Sequence, residues 1–198
     1  MVKYKKITLS YANRRIFENF SLEIASGENL CFAGQSGRGK TTLIKMIPGL
    51  VSPDSGEIFV DNLKLIPQNL NKIRKFIAWI PQNINLPVTS ASELIQLLNI
   101  SDKKNQIAEN LDSLGLNESY FEKQFSDISG GEKQRIVIAV TLAKNKPILL
   151  IDEPTSALDK KSIELLAQLI LNQGKNITVI SASHNQQWLK FVERVIEI

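Results

Sequence analysis

Residues 34–41 read Gly34-Gln35-Ser36-Gly37-Arg38-Gly39-Lys40-Thr41, directly after the apolar run Leu30-Cys31-Phe32-Ala33. They satisfy G-x-x-x-x-G-K-S/T, and they lie between a predicted strand, Asn29–Ala33, and a helix predicted to begin near Gly39. That context separates a phosphate-binding loop from a chance glycine-rich turn. The glycines let the backbone curl so that its amide hydrogens converge on the α- and β-phosphates of a nucleotide. The helix that follows, opening with Lys40, Thr41 and Thr42, presents its N-terminus to the same negative charge. Lys40 is expected to reach the β- and γ-phosphates, and the Thr41 hydroxyl to hold Mg2+. A nucleoside triphosphate, ATP or GTP, is therefore the expected ligand.

A second stretch, Ile148-Leu149-Leu150-Ile151-Asp152-Glu153, is an apolar strand that ends in two carboxylates. Its four apolar residues are expected to bury it beside the strand that leads into the glycine loop. Asp152 at its carboxyl end can then hold Mg2+ through water, and Glu153 can act on a water facing the γ-phosphate. A strand merely leaving the core at acidic residues would look the same in isolation. The phosphate loop upstream is what gives the pair a task.

Between these stretches and beyond them the sequence alternates. Short strands are predicted at 7–11, 16–24 and Asn29–Ala33, and a further strand pair at 57–60 and Ile77–Ile80. From about residue 90 to 124 the pattern turns helical, with 91–98 and 104–114 as the best segments. The last third returns to alternation: helix 131–143, strand 148–151, helix Lys160–Leu171, strand 177–181, a short helix, and strand 194–198. Within Lys160–Leu171, Ile163, Leu166, Ala167 and Ile170 recur at i, i+3, i+4 and i+7, the spacing of a helix with one face packed on a sheet.

Bulk properties bound the function. With 198 residues, 43% hydrophobic and 22% charged, the chain can bury a sizeable core. No apolar run approaches the roughly 18 residues of a membrane helix, and the start, MVKYKKITLSYANRR, lacks the apolar h-region of a signal peptide, so a cytoplasmic location is expected. The single cysteine, Cys31, reads as a buried small hydrophobe. The net charge of +4 comes from scattered pairs such as Lys5-Lys6 and Arg14-Arg15 rather than one basic stripe, and no nucleic-acid partner is expected.

The two phosphate-site motifs alone are shared by GTPases, kinases, helicases and recombinases. Ser129-Gly130-Gly131-Glu132-Lys133-Gln134-Arg135 narrows the choice. Its letters contain an S-x-x-E capping box ahead of an apolar helix, and a capped start with two glycines and exposed amides is also a place for a phosphate. The segment resembles the signature of the ABC ATPase family, usually written L-S-G-G-Q, and the resemblance covers essentially the whole chain. Gln82 in Trp79-Ile80-Pro81-Gln82-Asn83 is similar to the family's Q-loop glutamine, Ser156-Ala157-Leu158-Asp159 to its D-loop, and His184, the only histidine, to its switch histidine. Tyr11 lies near the position of the aromatic that stacks on adenine. Ile128 and Glu132 replace the common leucine and glutamine of the signature, and neither is expected to touch Ser129 or the glycines.

The resemblance implies an α/β fold: a P-loop NTPase core with a mostly parallel sheet, an N-terminal antiparallel β subdomain and a helical insert. It implies one ATPase domain over 1–198, with a helical subdomain at about 87–145. It implies ATP and Mg2+ as cofactors, with Thr41, Gln82 and Asp152 around the metal and Lys40, Gln82, Glu153 and His184 as the catalytic set. The nucleotide would contact Tyr11, the loop Gly34 to Thr42 and, from a second copy or a paired ATPase subunit, Ser129, Gly130 and Gly131. The partner harnessing the cycle would be a transmembrane permease, with the chain peripheral on the inner face of the membrane. A non-transport ATPase of the same family, working on ribosome or DNA complexes, is the alternative. It fits less well because such proteins usually carry tandem ATPase domains or long coiled-coil insertions.

Overall fold

The computed structural model describes residues 1–11 and 14–198. Its centre is a parallel sheet of short apolar strands, the kind that is buried on both faces. In chain order the strands are β1 (Val2–Tyr11), β2 (Arg14–Ile24), β3 (Asn29–Ala33), β4 (Ser55–Val60), β5 (Leu63–Lys64), β6 (Ile77–Ile80), β7 (Ile148–Asp152), β8 (Thr178–Ala182) and β9 (Arg194–Glu197). The α-helices are α1 (Lys40–Met46), α2 (Leu70–Lys75), α3 (Ala91–Leu97), α4 (Lys104–Ser113), α5 (Gly130–Leu142), α6 (Lys160–Leu171) and α7 (Gln186–Leu189). The parallel sheet has the order β6-β7-β8-β3-β9, and a separate antiparallel sheet has the order β2-β1-β4-β5.

The period-2 alternation of a strand divides the core in two. Leu149 and Ile151 of β7, Ala78 and Ile80 of β6, and Cys31 of β3 face α3 to α7. Ile148 and Leu150, Ile77, and Leu30 and Phe32 of the same strands face α1 and the antiparallel sheet. The helical face of Lys160–Leu171 is as expected: Ile163, Leu166, Ala167 and Ile170 are all buried. Cys31 is fully buried, and that burial pushes its thiol up to about 11.

Three expectations are corrected. The strands at 57–60 and 77–80 do not pair, because β4 joins the antiparallel sheet while β6 edges the parallel one. β7 does not lie beside β3, because β8 is inserted between them, in register with both: Asp152 pairs with Ala182, which lies opposite Phe32. The first strand begins at Val2 rather than residue 7, since Val2 and Tyr4 are buried against β4 despite the lysines between and after them. The segment between β4 and β6 also holds the short β5 and α2, where few apolar residues mark the pattern.

The helices 91–113 pack on α5, and Asn110 Nδ2 donates to Ala139 O at 3.0 Å, fastening α4 to α5. Leu149, fully buried at the centre of the sheet, tests the shared core. Leu149→Ala is expected to cost about 2–5 kcal/mol of unfolding free energy, read as a lower urea midpoint with an unchanged slope.

Candidate functional site

The carboxyl ends of the parallel strands share one edge. Ile80 is opposite Ile151, Asp152 opposite Ala182, and Ala182 opposite Phe32, so the loops after β6, β7, β8 and β3 leave the sheet together. Those loops carry Gln82, Glu153, His184 and residues 34–39. An open cleft of about 230 Å³ at this edge is lined by the loop residues Ser36, Gly37, Gly39, Lys40, Thr41 and Thr42, together with Tyr11, Gln82 and Glu153. Beside it, Gly34, Gln35 and Ser36 share a second depression with His184. Arg38 is exposed at the tip of the loop and borders neither.

Gly39 shows why the loop needs its glycines. It sits at φ 103°, and a Cβ there would lie 2.6 Å from Phe17 and 2.7 Å from Ile16. Immediately after it Lys40 turns back, and its Nζ donates to Gly34 O at 2.8 Å and Gln35 O at 2.9 Å. The ammonium, almost fully buried, is held inside the curl by the loop's own carbonyls. Thr41 Oγ1 donates to Asp152 Oδ1 at 2.8 Å, bridging α1 and β7 past β8. Burial pushes the Asp152 carboxyl up; the Thr41 hydrogen bond opposes this, and the neighbouring Glu153 adds to it.

Glu153 has φ 50°, the left-handed conformation that a non-glycine residue adopts at a cost and that clusters at functional sites. Its N–H donates to Ala182 O at 2.9 Å, locking the turn to β8. His184 Nδ1 lies 3.1 Å from Glu153 Oε1, and Ser183 Oγ donates to Oε2 at 3.4 Å. The histidine itself is exposed, but its base is rigid. Asn185 caps α7 by accepting from Gln187 and Trp188 N–H, and the buried Trp188 indole donates to Ser181 Oγ at 3.0 Å. Tyr11, half exposed, closes the outer side of the cleft from the end of β1.

Ser129, Gly130 and Gly131 line neither depression. They form the N-terminus of α5, and the capping box is present: Ser129 Oγ accepts from Glu132 N–H, and the Glu132 carboxylate accepts from Ser129 N–H. The capping box expected from the S-x-x-E spacing is thus borne out, and through it Glu132 does touch Ser129, contrary to the expectation that the replacement of glutamine leaves the serine untouched. A side chain at the third helical position reaches back to the cap, whatever it faces outward. Gly131 is pressed against the loop after β7, where a Cβ would lie 2.6 Å from Ala157 O, while a Cβ on Gly130 would meet nothing within 4 Å.

Sequence reasoning missed Ile16, which lines the cleft from β2 together with Tyr11, and Ser183, which hydrogen-bonds Glu153. It also missed Gln134, whose Nε2 donates to Pro154 O at 3.0 Å and joins α5 to the Glu153 turn. Ser183 directly precedes His184 and could have been found from that adjacency; the other two depend on contacts far apart in the chain.

A glycine loop curled around a buried lysine between β3 and α1, facing the end of an apolar strand with two acids, defines a P-loop nucleotide-binding protein. Comparison with known proteins narrows this. The ABC transporter family model matches residues 17–156. MJ0796 of Methanocaldococcus jannaschii, an uncharacterized ABC transporter ATP-binding protein, is 34% identical over 99% of this chain and 92% of its own length. EcfA1 of Fusobacterium nucleatum, an energy-coupling factor transporter ATP-binding protein, is 36% identical over 94% of this chain and 74% of its own. The dimeric structure of MJ0796 superposes with a TM-score of 0.88 at 33% identity, covering 100% of this chain and 94% of that one. A second dimeric MJ0796 structure, in a post-hydrolysis state bound to ADP and Pi, superposes with a TM-score of 0.84 at 34% identity, again covering 100% and 94%. The chain belongs to the ABC transporter ATP-binding family.

Gly39→Ala is expected to weaken ATP binding by about tenfold or more, since a left-handed alanine costs roughly 1–2 kcal/mol before its collision with Phe17 and Ile16. Titration with a fluorescent ATP analogue measures the loss.

Proposed function

We propose that the chain is the ATP-binding and ATP-hydrolysing subunit of an ABC transporter, and that ATP-dependent pairing of two such subunits powers a separate membrane permease. The observation that carries this is the meeting, at one sheet edge, of the glycine loop, the Thr41–Asp152 pair and a conformationally strained Glu153. Family membership and the dimeric, ADP- and Pi-bound relative support it. No helix of the described residues is long and apolar enough to cross a membrane, so a permease would be another chain or segment, with this one peripheral to it on the cytoplasmic side. The chain would act as one ATPase domain whose helices at about 87–145 form the subdomain nearest the permease.

In this reading ATP lies with its base on Tyr11 and its phosphates in the loop Gly34 to Thr42. Lys40 exchanges the carbonyls of Gly34 and Gln35 for the β- and γ-phosphates, which offer its buried charge a stronger partner. The donor set fits Mg2+, which keeps several waters and takes few protein oxygens alongside phosphate. Thr41 and Asp152 already stand together, Gln82 lines the same cleft, and a divalent cation would relieve the cost of an ionised carboxylate at buried Asp152. Mg2+ supplies charge stabilisation for phosphoryl transfer. Glu153 orients the attacking water, and His184, in contact with the same carboxylate, holds the γ-phosphate side of the site.

Ser129, Gly130 and Gly131 complete the site of the partner subunit, which accounts for their distance from the cleft of their own chain. The close approach of Gly131 to Ala157 and the Gln134–Pro154 hydrogen bond then link the segment that grips one ATP to the turn holding Glu153 at the other.

Glu153→Gln is expected to lower turnover by at least about 100-fold while ATP binding persists and ATP-bound dimers accumulate on size exclusion. Unchanged turnover would remove Glu153 as the catalytic carboxylate. Gly130→Asp tests the shared site. An acid at the first turn of α5 suits the helix dipole and its Cβ meets nothing within 4 Å, so folding and nucleotide binding should be retained while hydrolysis is lost. Full activity in that variant would reduce Ser129 to Glu132 to a helix cap.

A further inference from the structure

Glu132 makes more contacts than a helix cap requires. Its Oε2 accepts from Ser129 N–H at 2.8 Å and from the Ser129 hydroxyl at 2.7 Å, and its Oε1 accepts from the Tyr120 hydroxyl. Tyr120 lies on the 3-10 turn Glu118–Phe121, so the helices before α5 help to pin the carboxylate in place. A hydroxyl has one hydrogen to donate. Here Ser129 gives it to Glu132, while its oxygen accepts from Glu132 N–H at 3.2 Å.

None of the nearby cations forms an ion pair with the carboxylate among the described residues, although the Arg135 charge adds a small stabilisation to its anionic form. Arg135 Nη1 donates to Leu114 O at 2.8 Å, Lys133 Nζ stands 5.1 Å from the Phe125 ring centre, and Lys123 Nζ stands 3.7 Å from that of Tyr120. The hydrogen bond from Tyr120, then those from Ser129, hold the Glu132 carboxyl down to about 2. It is an anion throughout the neutral range.

We propose that Glu132 is a built-in brake on ATP-driven pairing: its carboxylate competes with the partner-bound γ-phosphate for the Ser129 hydroxyl and repels that phosphate. This rests on the shared-site reading above. A phosphate oxygen accepting from Ser129 Oγ would come within about 5 Å of Glu132 Oε2, two hydrogen-bond lengths placed end to end. At that distance like charges oppose one another, and they do so from the time the subunits approach, while solvent and salt still reach both. A glutamine would keep the capping box, because either residue reaches back to the cap N–H. It would carry no charge and would compete less for the serine proton. The substitution Glu132→Gln therefore separates the brake from the cap.

The test uses the full chain in the Glu153→Gln background, where hydrolysis does not dissipate the dimer, with ATP·Mg2+ titrated and dimer followed by sedimentation velocity. Adding Glu132→Gln is expected to lower the ATP concentration for half-maximal dimerisation by about three- to tenfold at low salt. The gap should narrow as salt rises from about 50 to about 500 mM, because screening removes a charge effect and leaves a packing effect. The Glu132→Gln protein should keep its fold with a somewhat lower melting temperature, since the cap N–H is still satisfied while the bonds from Tyr120 and the Ser129 hydroxyl lose their charge. Equal half-points at low salt, or a gap that salt leaves unchanged, would overturn the brake while leaving shared-site pairing intact. No ATP-dependent dimer from the Glu153→Gln protein would overturn both.

Discussion

The hydrogen bond from Thr41 Oγ1 to Asp152 Oδ1 spans 2.8 Å and joins the first turn of α1 to the end of β7, although β8 lies between β7 and β3 in the sheet. It is available only because all the parallel strands stop at the same level. Were β7 displaced by one residue, Asp152 would exchange faces with Ile151, and the carboxylate would point into the core while an isoleucine faced the phosphate loop. Ile148, Leu149, Leu150 and Ile151 are apolar and buried on both faces, so burial alone does not choose between registers. The polar end of the strand does, because Asp152 finds a hydrogen-bond partner on one face only.

The insertion of β8 gives the cleft its second acid–base group. The strand carries Ser181, Ala182, Ser183 and His184 into the gap between the phosphate loop and Asp152. There the Ala182 carbonyl fixes Glu153 N–H, and Ser183 and His184 take up the Glu153 carboxylate. Two acids at consecutive positions thus have different environments. Asp152 is buried and held by a threonine hydroxyl, and burial raises its carboxyl above the ordinary range. Glu153 is less buried and turned toward groups at the mouth of the cleft. That difference suits the two roles proposed for them, metal holder and water orienter, which the same side-chain chemistry could not otherwise separate.

How much of this was legible in the sequence follows from the range of the interactions. The phosphate loop, the capping box at Ser129 and the helical face of Lys160–Leu171 are local patterns, written within four to twelve residues, and each is present in the structure. The order of the parallel strands is not local. Adjacent apolar runs do not state which neighbour they will take, so β7 was placed next to β3 and β8 went unrecognised as the strand between them. The same holds for Ile16, which enters the cleft only because β2 folds back on β1, and for Gln134, whose partner Pro154 lies 20 residues away. Glu132 is legible in part: the S-x-x-E spacing marks it as the capping partner of Ser129, whereas the hydrogen bond it accepts from Tyr120 depends on a turn 12 residues away.

The placement of the signature segment is the feature that a self-contained enzyme would not need. A capped helix start with exposed amides is able to hold a phosphate, yet the cleft of the same chain leaves Ser129 to Gly131 outside its walls. What these residues do touch is the loop leading away from Glu153, through Gly131 against Ala157 and Gln134 against Pro154. A segment rigidly tied to one catalytic turn but presented to an external surface is suited to report the arrival of a second nucleotide-bearing surface to the first. Neither contact has slack: one leaves no room for a Cβ, and the other is a buried hydrogen bond whose loss would strand a carbonyl. The helix start and the Pro154 turn that follows Glu153 are therefore in direct contact.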